Sequence, residues 1–119
     1  TTASPGELTL MLYNGCIKFI RKAKDALSRN DMEEKNRNIQ KAQNIVTELI
    51  VTLNRDVPVA EQMLQMYDYM NRQLISANVK NDSKILDEVE GYAIEFRDTW
   101  KEVIRIQRQS QPQVGGRST

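Results

Sequence analysis

The stretch that decides the fold is residues 4–28, SPGELTLMLYNGCIKFIRKAKDALS. Its opening carries the marks of a helix start. Ser4 is a good N-cap, Pro5 suits the first helical position, and Glu7, three residues after the cap, completes a capping box. At about 100° per residue, Leu8, Leu12, Cys16, Phe19, Ala23 and Leu27 fall on one face. Leu10, Tyr13, Ile17 and Ile20 form a second stripe beside it. Together they cover more than half the helix circumference, whereas a surface helix of a small bundle buries a stripe of a little over ~100°. Two readings follow. The second stripe packs on a further helix, because a helix in a bundle touches two others, or it stays open as a groove for a partner.

Three more helical patterns come after it. Asn30 and Asp31 break the first, and Asp31 with Glu34 repeats the sequence of cap and acid. A second helix is predicted over 32–53, with Ile39, Ala42, Val46, Leu49 and Leu53 as its stripe. Residues 54–58 form a loop ending in Pro58, which disfavours helix at the residue before it. The third helix, 59–78, turns Ala60, Met63, Tyr67, Met70 and Leu74 inward. A short break at 80–82, with Asp82 as cap, leads into a fourth helix over 83–109. That helix aligns Ile85, Val89, Tyr92, Phe96, Trp100 and Val103. Short loops between long helices favour antiparallel neighbours. The sequence therefore predicts an all-α, up-down-up-down antiparallel four-helix bundle over 1–109. Residues 110–119 hold Pro112, Gly115 and Gly116 without periodicity and read as a disordered tail. Leu12, Phe19, Val46, Leu49, Met70, Phe96 and Trp100 are expected in the core.

Composition narrows function mainly by exclusion. The chain has 119 residues, one domain by length and large enough for a core without disulfide or metal. It opens at Thr1 with no initiator Met, as expected of a fragment or a processed product. Seventeen basic residues stand against sixteen acidic ones, a net charge of +1, which argues against a nucleic-acid binder. No apolar run approaches the ~18–20 residues of a membrane span. One cysteine rules out an intrachain disulfide and fits a reducing compartment. No histidine is present, which removes the commonest general base, the commonest metal ligand and any histidine phosphotransfer. No Gly-rich phosphate loop or calcium-loop spacing occurs. Cys16 lies on the inner stripe with no histidine to activate it, so it reads as an inert thiol. The expectation is a protein without catalysis, cofactor or metal.

Binding is the remaining class. Leu10, Tyr13 and Ile17 are predicted to contact a partner. Leaving one large apolar side chain in water forgoes ~1.5–3 kcal/mol, so several together mark an interaction site. Met66, on the flank of the Met-rich third helix, joins them, because methionine is over-used on adaptable binding surfaces. Val51, Tyr69 and Ile94 lie off their helices' stripes and complete the set. Gly15 and Gly91 sit inside helices, either for close helix packing or to admit a partner's backbone. A self-assembling homo-oligomer is the alternative use of the same surplus.

Four segments carry a family resemblance: SPGELTLMLYNGCIKFI at 4–20, KAQNIVTELIVTLN at 41–54, LQMYDYMNRQLISANVKND at 64–82 and EGYAIEFRDTWKEVI at 90–104. In order and spacing they resemble the FliS-type flagellin export chaperones. The resemblance implies a helical bundle in the bacterial cytoplasm that binds the disordered C-terminal segment of flagellin. It implies that binding prevents early polymerisation and aids delivery to the flagellar type III export machinery, with the export gate as a further candidate partner. Such a client would lay the apolar face of a helix in a groove at i, i+3, i+4 and i+7.

Overall fold

The computed structural model describes residues 4–110. Four helices account for nearly all of them: α1 (Pro5–Ser28), α2 (Met32–Thr52), α3 (Ala60–Lys80) and α4 (Ser83–Ser110). No strand occurs among the described residues. The expected disordered tail falls, from residue 111 onward, outside the described residues.

The helix starts follow from side-chain chemistry. Ser4 Oγ accepts the Glu7 N–H, and the Glu7 carboxylate accepts the Ser4 N–H in return. The Ser4 hydroxyl also donates to that carboxylate at 2.8 Å, and this bond, with the one from the Ser4 N–H, holds the Glu7 carboxyl below its ordinary range. Asp31 accepts the Glu34 N–H at 3.1 Å and so caps α2. At Asp82 the carboxylate accepts the Lys84 N–H at 2.9 Å. Asn30 and Asn81 supply the left-handed residues of the two short turns, with φ of 57° and 52°.

Among the described residues the backbone of each helix packs beside two others, and across the diagonal α1 and α3 meet through side chains, as where Tyr13 reaches Tyr67. The order around the bundle is therefore α1, α2, α3, α4 and back to α1. Paired residues show the antiparallel sense. Along α1 and α4, Gly6 meets Trp100, Tyr13 meets Phe96, Arg21 meets Glu90 and Lys24 meets Asp87. Numbers rise on one helix as they fall on the other. Across α2 and α3, Lys35 reaches Asn78 while Thr47 reaches Asn71.

The core is one continuous cluster. Cys16, Ile20 and Ala23 of α1 meet Ile39, Ala42 and Val46 of α2, Met70, Leu74 and Ala77 of α3, and Leu86, Val89 and Ala93 of α4. Leu12, Phe19, Phe96 and Trp100 pack against it half-buried, while Val46, Leu49 and Met70 lie inside. Gly15 serves close packing of α1 on α2: a Cβ there would stand 3.0 Å from Ile45 Cδ1.

The placement of the second α1 stripe is corrected here. Tyr13 is 1% exposed and Ile17 3% exposed, and both belong to the core cluster. The cause is that α1 has two neighbours. Its first stripe faces α2, and its second faces α4, where the Tyr13 ring stacks on Phe96 at 6.0 Å. Leu8, assigned by periodicity to the inner face, is 44% exposed because it lies near the end of the bundle.

Candidate functional site

At one end of the bundle α1 begins, α4 finishes, and residues 53–59 cross from α2 to α3. Between them lies a cleft of about 510 Å³. Its walls are chiefly apolar: Leu53, Val57, Val59, Met63, Trp100 and Val103. That volume falls within the range of ligand-binding clefts, ~300–1,000 Å³.

The floor is aromatic. Tyr13 and Tyr67, both nearly fully buried, join hydroxyl to hydroxyl beneath the cleft. Phe96 supports both, stacked on Tyr13 and edge-on to Tyr67 at 5.9 Å. Burial pushes both phenols above their ordinary range, so they stay neutral hydrogen-bonding groups. The Trp100 indole N–H donates to the Gly6 carbonyl at 2.8 Å, which fastens the end of α4 to the start of α1. Val57 and Val59 form the rim, 37% and 53% exposed. Such a site can hold a large apolar side chain. It offers no charged group to polarise a bond.

The seven residues singled out from sequence fall on separate parts of the molecule. Leu10 is half-buried over a hollow that Ile104, Lys101 and Arg108 also line. Tyr13 is the cleft floor, and Ile17 is core. Ile94, expected to face away, instead packs half-buried against the core. It sits one turn after Glu90, on the edge of α4 that meets α1. Met66 and Tyr69 do come together, one turn apart on the edge of α3 that faces α4. Tyr69 donates to Glu88 at 2.7 Å and meets the Tyr92 ring edge-on at 6.1 Å. The Gln73 amide, one turn on, also donates to Glu88 at 2.9 Å. These two hydrogen bonds hold the Glu88 carboxyl below its ordinary range. Val51 stands alone on the outer face of α2, 71% exposed.

Sequence reasoning missed the cleft rim. Val57-Pro58-Val59 is an apolar run inside a loop, where polar residues are the rule, and that was the available signal. It also missed Met11, Ile75 and Val79, which are 60%, 50% and 78% exposed. Cys16 is buried, and burial pushes its thiol up to about 12, which leaves it unreactive at neutral pH. Among the described residues no group of three or more acidic or cysteine side chains is placed to hold a metal ion. No helix among them is long and apolar enough to cross a membrane.

Comparison with known proteins matches residues 1–107 to the family described as Flagellar protein FliS. The flagellar secretion chaperone FliS of Bacillus subtilis (strain 168) is 56% identical over 115 residues, covering 97% of this chain and 86% of that protein. The FliS of Salmonella typhimurium (strain LT2) is 32% identical over 105 residues, covering 86% and 78%. That of Escherichia coli (strain K12) is 31% identical over 104 residues, covering 85% and 76%.

Proposed function

This chain belongs to the FliS family, and from that premise we propose that its client is the disordered C-terminal segment of flagellin. A chaperone role in flagellar secretion comes with the family. The client, its capture in the bacterial cytoplasm before it can polymerise, and delivery to the export gate are our reading.

One observation carries that reading: an apolar cleft lies open at the end of an otherwise well-packed bundle. Ordering a disordered segment costs ~2–5 kcal/mol or more, so its apolar contacts must be extensive. The cleft supplies an anchor for one large side chain. From there the segment would run along the bundle, touching Leu10 and Ile94 at the α1–α4 seam, Met66 and Tyr69 at the α3–α4 seam, and Val51 on α2. Tyr13 contributes from the cleft floor. Ile17 acts only through the core that holds the cleft in shape.

Calorimetric titration with a flagellin C-terminal segment tests the proposal, followed by hydrogen exchange on the complex. The expected result is saturable binding with a negative heat-capacity change and new protection at residues 53–67 and 96–104. Absence of binding refutes the client. Binding without protection at these residues refutes the site. Sedimentation over a concentration series separates the second reading: a stable oligomer that ignores the segment would mean the apolar surface serves self-assembly.

A further inference from the structure

We propose that the seam between α1 and α2 carries a second docking strip, which takes an acidic amphipathic peptide segment of a protein partner. The proposal rests on a cluster that the client reading does not use. The Phe19 ring lies half-buried at this seam, with the ammoniums of Lys18, Lys22 and Lys41 at 5.2, 5.8 and 5.2 Å from its centroid. All three lysines are exposed. Among the described residues none of the three has a hydrogen-bond or ion-pair partner. On the other side of α1, by contrast, Arg21 and Lys24 are both paired with Glu90 at 2.7 Å. One helix therefore neutralises its cations on one side and gathers them unpaired on the other.

That gathering is unfavourable in the free protein. Lys18 and Lys22 stand at i and i+4, where like charges repel, and Lys41 of α2 adds a third. Attraction to the ring offsets part of this. Carboxylates supplied from outside would offset the rest, beside an aromatic surface already in place.

The strip continues along α1 from its cationic end. Gly15, Met11 and Leu8 lie one, two and three turns before Phe19 and share its side of the helix. Met11 and Leu8 are 60% and 44% exposed. At Gly15 the absence of a side chain lets Ile45 of α2 pack closely against α1. From residue 8 to residue 22 the helix rises about 21 Å at 1.5 Å per residue. A strip so long, with charge at one end and apolar side chains at the other, fits an extended or helical peptide rather than a compact anion. The matching segment carries carboxylates at one end and apolar residues one to three turns away. The end cleft uses Gly6, Thr9 and Tyr13 of α1, a different side of the helix, so this inference is independent of the flagellin client.

The test is fluorescence anisotropy with a labelled helical probe peptide. The probe has glutamates clustered at one end and leucines along the same face, and its twin carries glutamine for every glutamate. The glutamate probe is expected to bind at least about tenfold tighter than its twin, and high salt should abolish the difference. The double variant Lys18→Glu/Lys22→Glu should lose that preference with its helical circular dichroism intact, while Lys84→Glu, at the start of α4, should retain it. Met11→Ser should weaken both probes. Equal affinity of the two probes, no binding of either, or indifference to the double charge reversal overturns the proposal. So does capture by phosphatidylserine vesicles without peptide binding, which would assign the lysines to a lipid surface. Lysine-dependent dimerisation in sedimentation would assign the strip to a second copy and overturn it equally.

Discussion

At the end where residues 29–31 and 81–82 turn the chain, polar side chains tie the helices together; at the opposite end apolar side chains face an open cleft. The tied end is closed by named bonds. Lys35, only 6% exposed, donates from Nζ to the Asn78 carbonyl at 2.9 Å and to its side-chain oxygen at 2.7 Å. The Asn78 amide in turn donates to Asn36 at 2.6 Å. The Lys35 cation also sits by the last turn of α3, where a helix end favours positive charge. At the open end α3 starts after Val59 with no side-chain cap, and the Trp100–Gly6 bond is a polar tie between α1 and α4. The contrast teaches a division of labour. One end fixes the register of four helices, and this leaves the other free to keep apolar surface in water.

The largest effect should come from the core beside the tied end. Leu86→Ala removes a fully buried side chain just after the 81–82 turn and should cost about 2–5 kcal/mol in urea unfolding. Well below its melting temperature, affinity for a flagellin segment should be unchanged. A large loss of affinity would mean that the two ends are not separable. Lys35→Met comes next. It removes charge-assisted hydrogen bonds and takes the Lys35 donor from both Asn78 oxygens, for an expected loss of ~1.5–3 kcal/mol. Equilibrium unfolding checks it, and a neutral result would deny the polar tie its structural role.

Val59→Asp probes the open end and should invert this pattern. A carboxylate on the exposed cleft rim should shift stability by no more than ~0.5 kcal/mol. Affinity for the flagellin segment should fall about tenfold, or ~1.4 kcal/mol, by calorimetry. Unchanged affinity would remove the cleft from the binding surface.

A smaller effect tests the α1–α4 ties. Burial raises the Glu90 carboxyl, but hydrogen bonds from Lys24 and Arg21 outweigh it, so the group lies below its ordinary range when folded. A depressed carboxyl stabilises the fold above its unfolded pKa, ~4.3, and that stability is lost as pH falls through the folded value. Arg21 is largely exposed, so solvent screens its share. Urea midpoints should therefore fall less between neutral pH and pH below ~4 in Glu90→Gln than in the parent protein. Parallel pH profiles would mean that the ion pairs contribute nothing.

The same contrast explains what was legible in the sequence. Caps at Ser4 and Asp31 involve residues three apart, so a local pattern suffices to find them. Helix number, order and antiparallel sense follow from stripes and loop lengths. Tyr13 and Ile17 were misplaced because periodicity reports how wide an apolar face is and not how many neighbours cover it. The cleft was invisible for another reason. Its walls come from the start of α1, residues 53–63 and the end of α4, which are far apart in sequence and meet only when the bundle closes. Lys35 inside the tied end was equally hidden, since its partner Asn78 lies on another helix.

The finest test concerns the floor of the open end. The Tyr13–Tyr67 hydroxyl pair is a polar bond within an apolar site. Tyr67→Phe alone leaves the Tyr13 hydroxyl buried without that partner, and Tyr13→Phe does the same to Tyr67. Each should cost ~1–3 kcal/mol, because an unsatisfied buried hydroxyl bears its full desolvation penalty. The double variant removes both hydroxyls and leaves three rings in contact, so it should be less destabilised than the two single losses added together. A double-mutant cycle on unfolding free energy isolates that coupling, expected at roughly 0.5–1.5 kcal/mol. If the losses simply add, the hydroxyls are satisfied separately, for instance by water entering from the cleft. In that case the floor is wet, and a client side chain would have to displace that water to reach the rings.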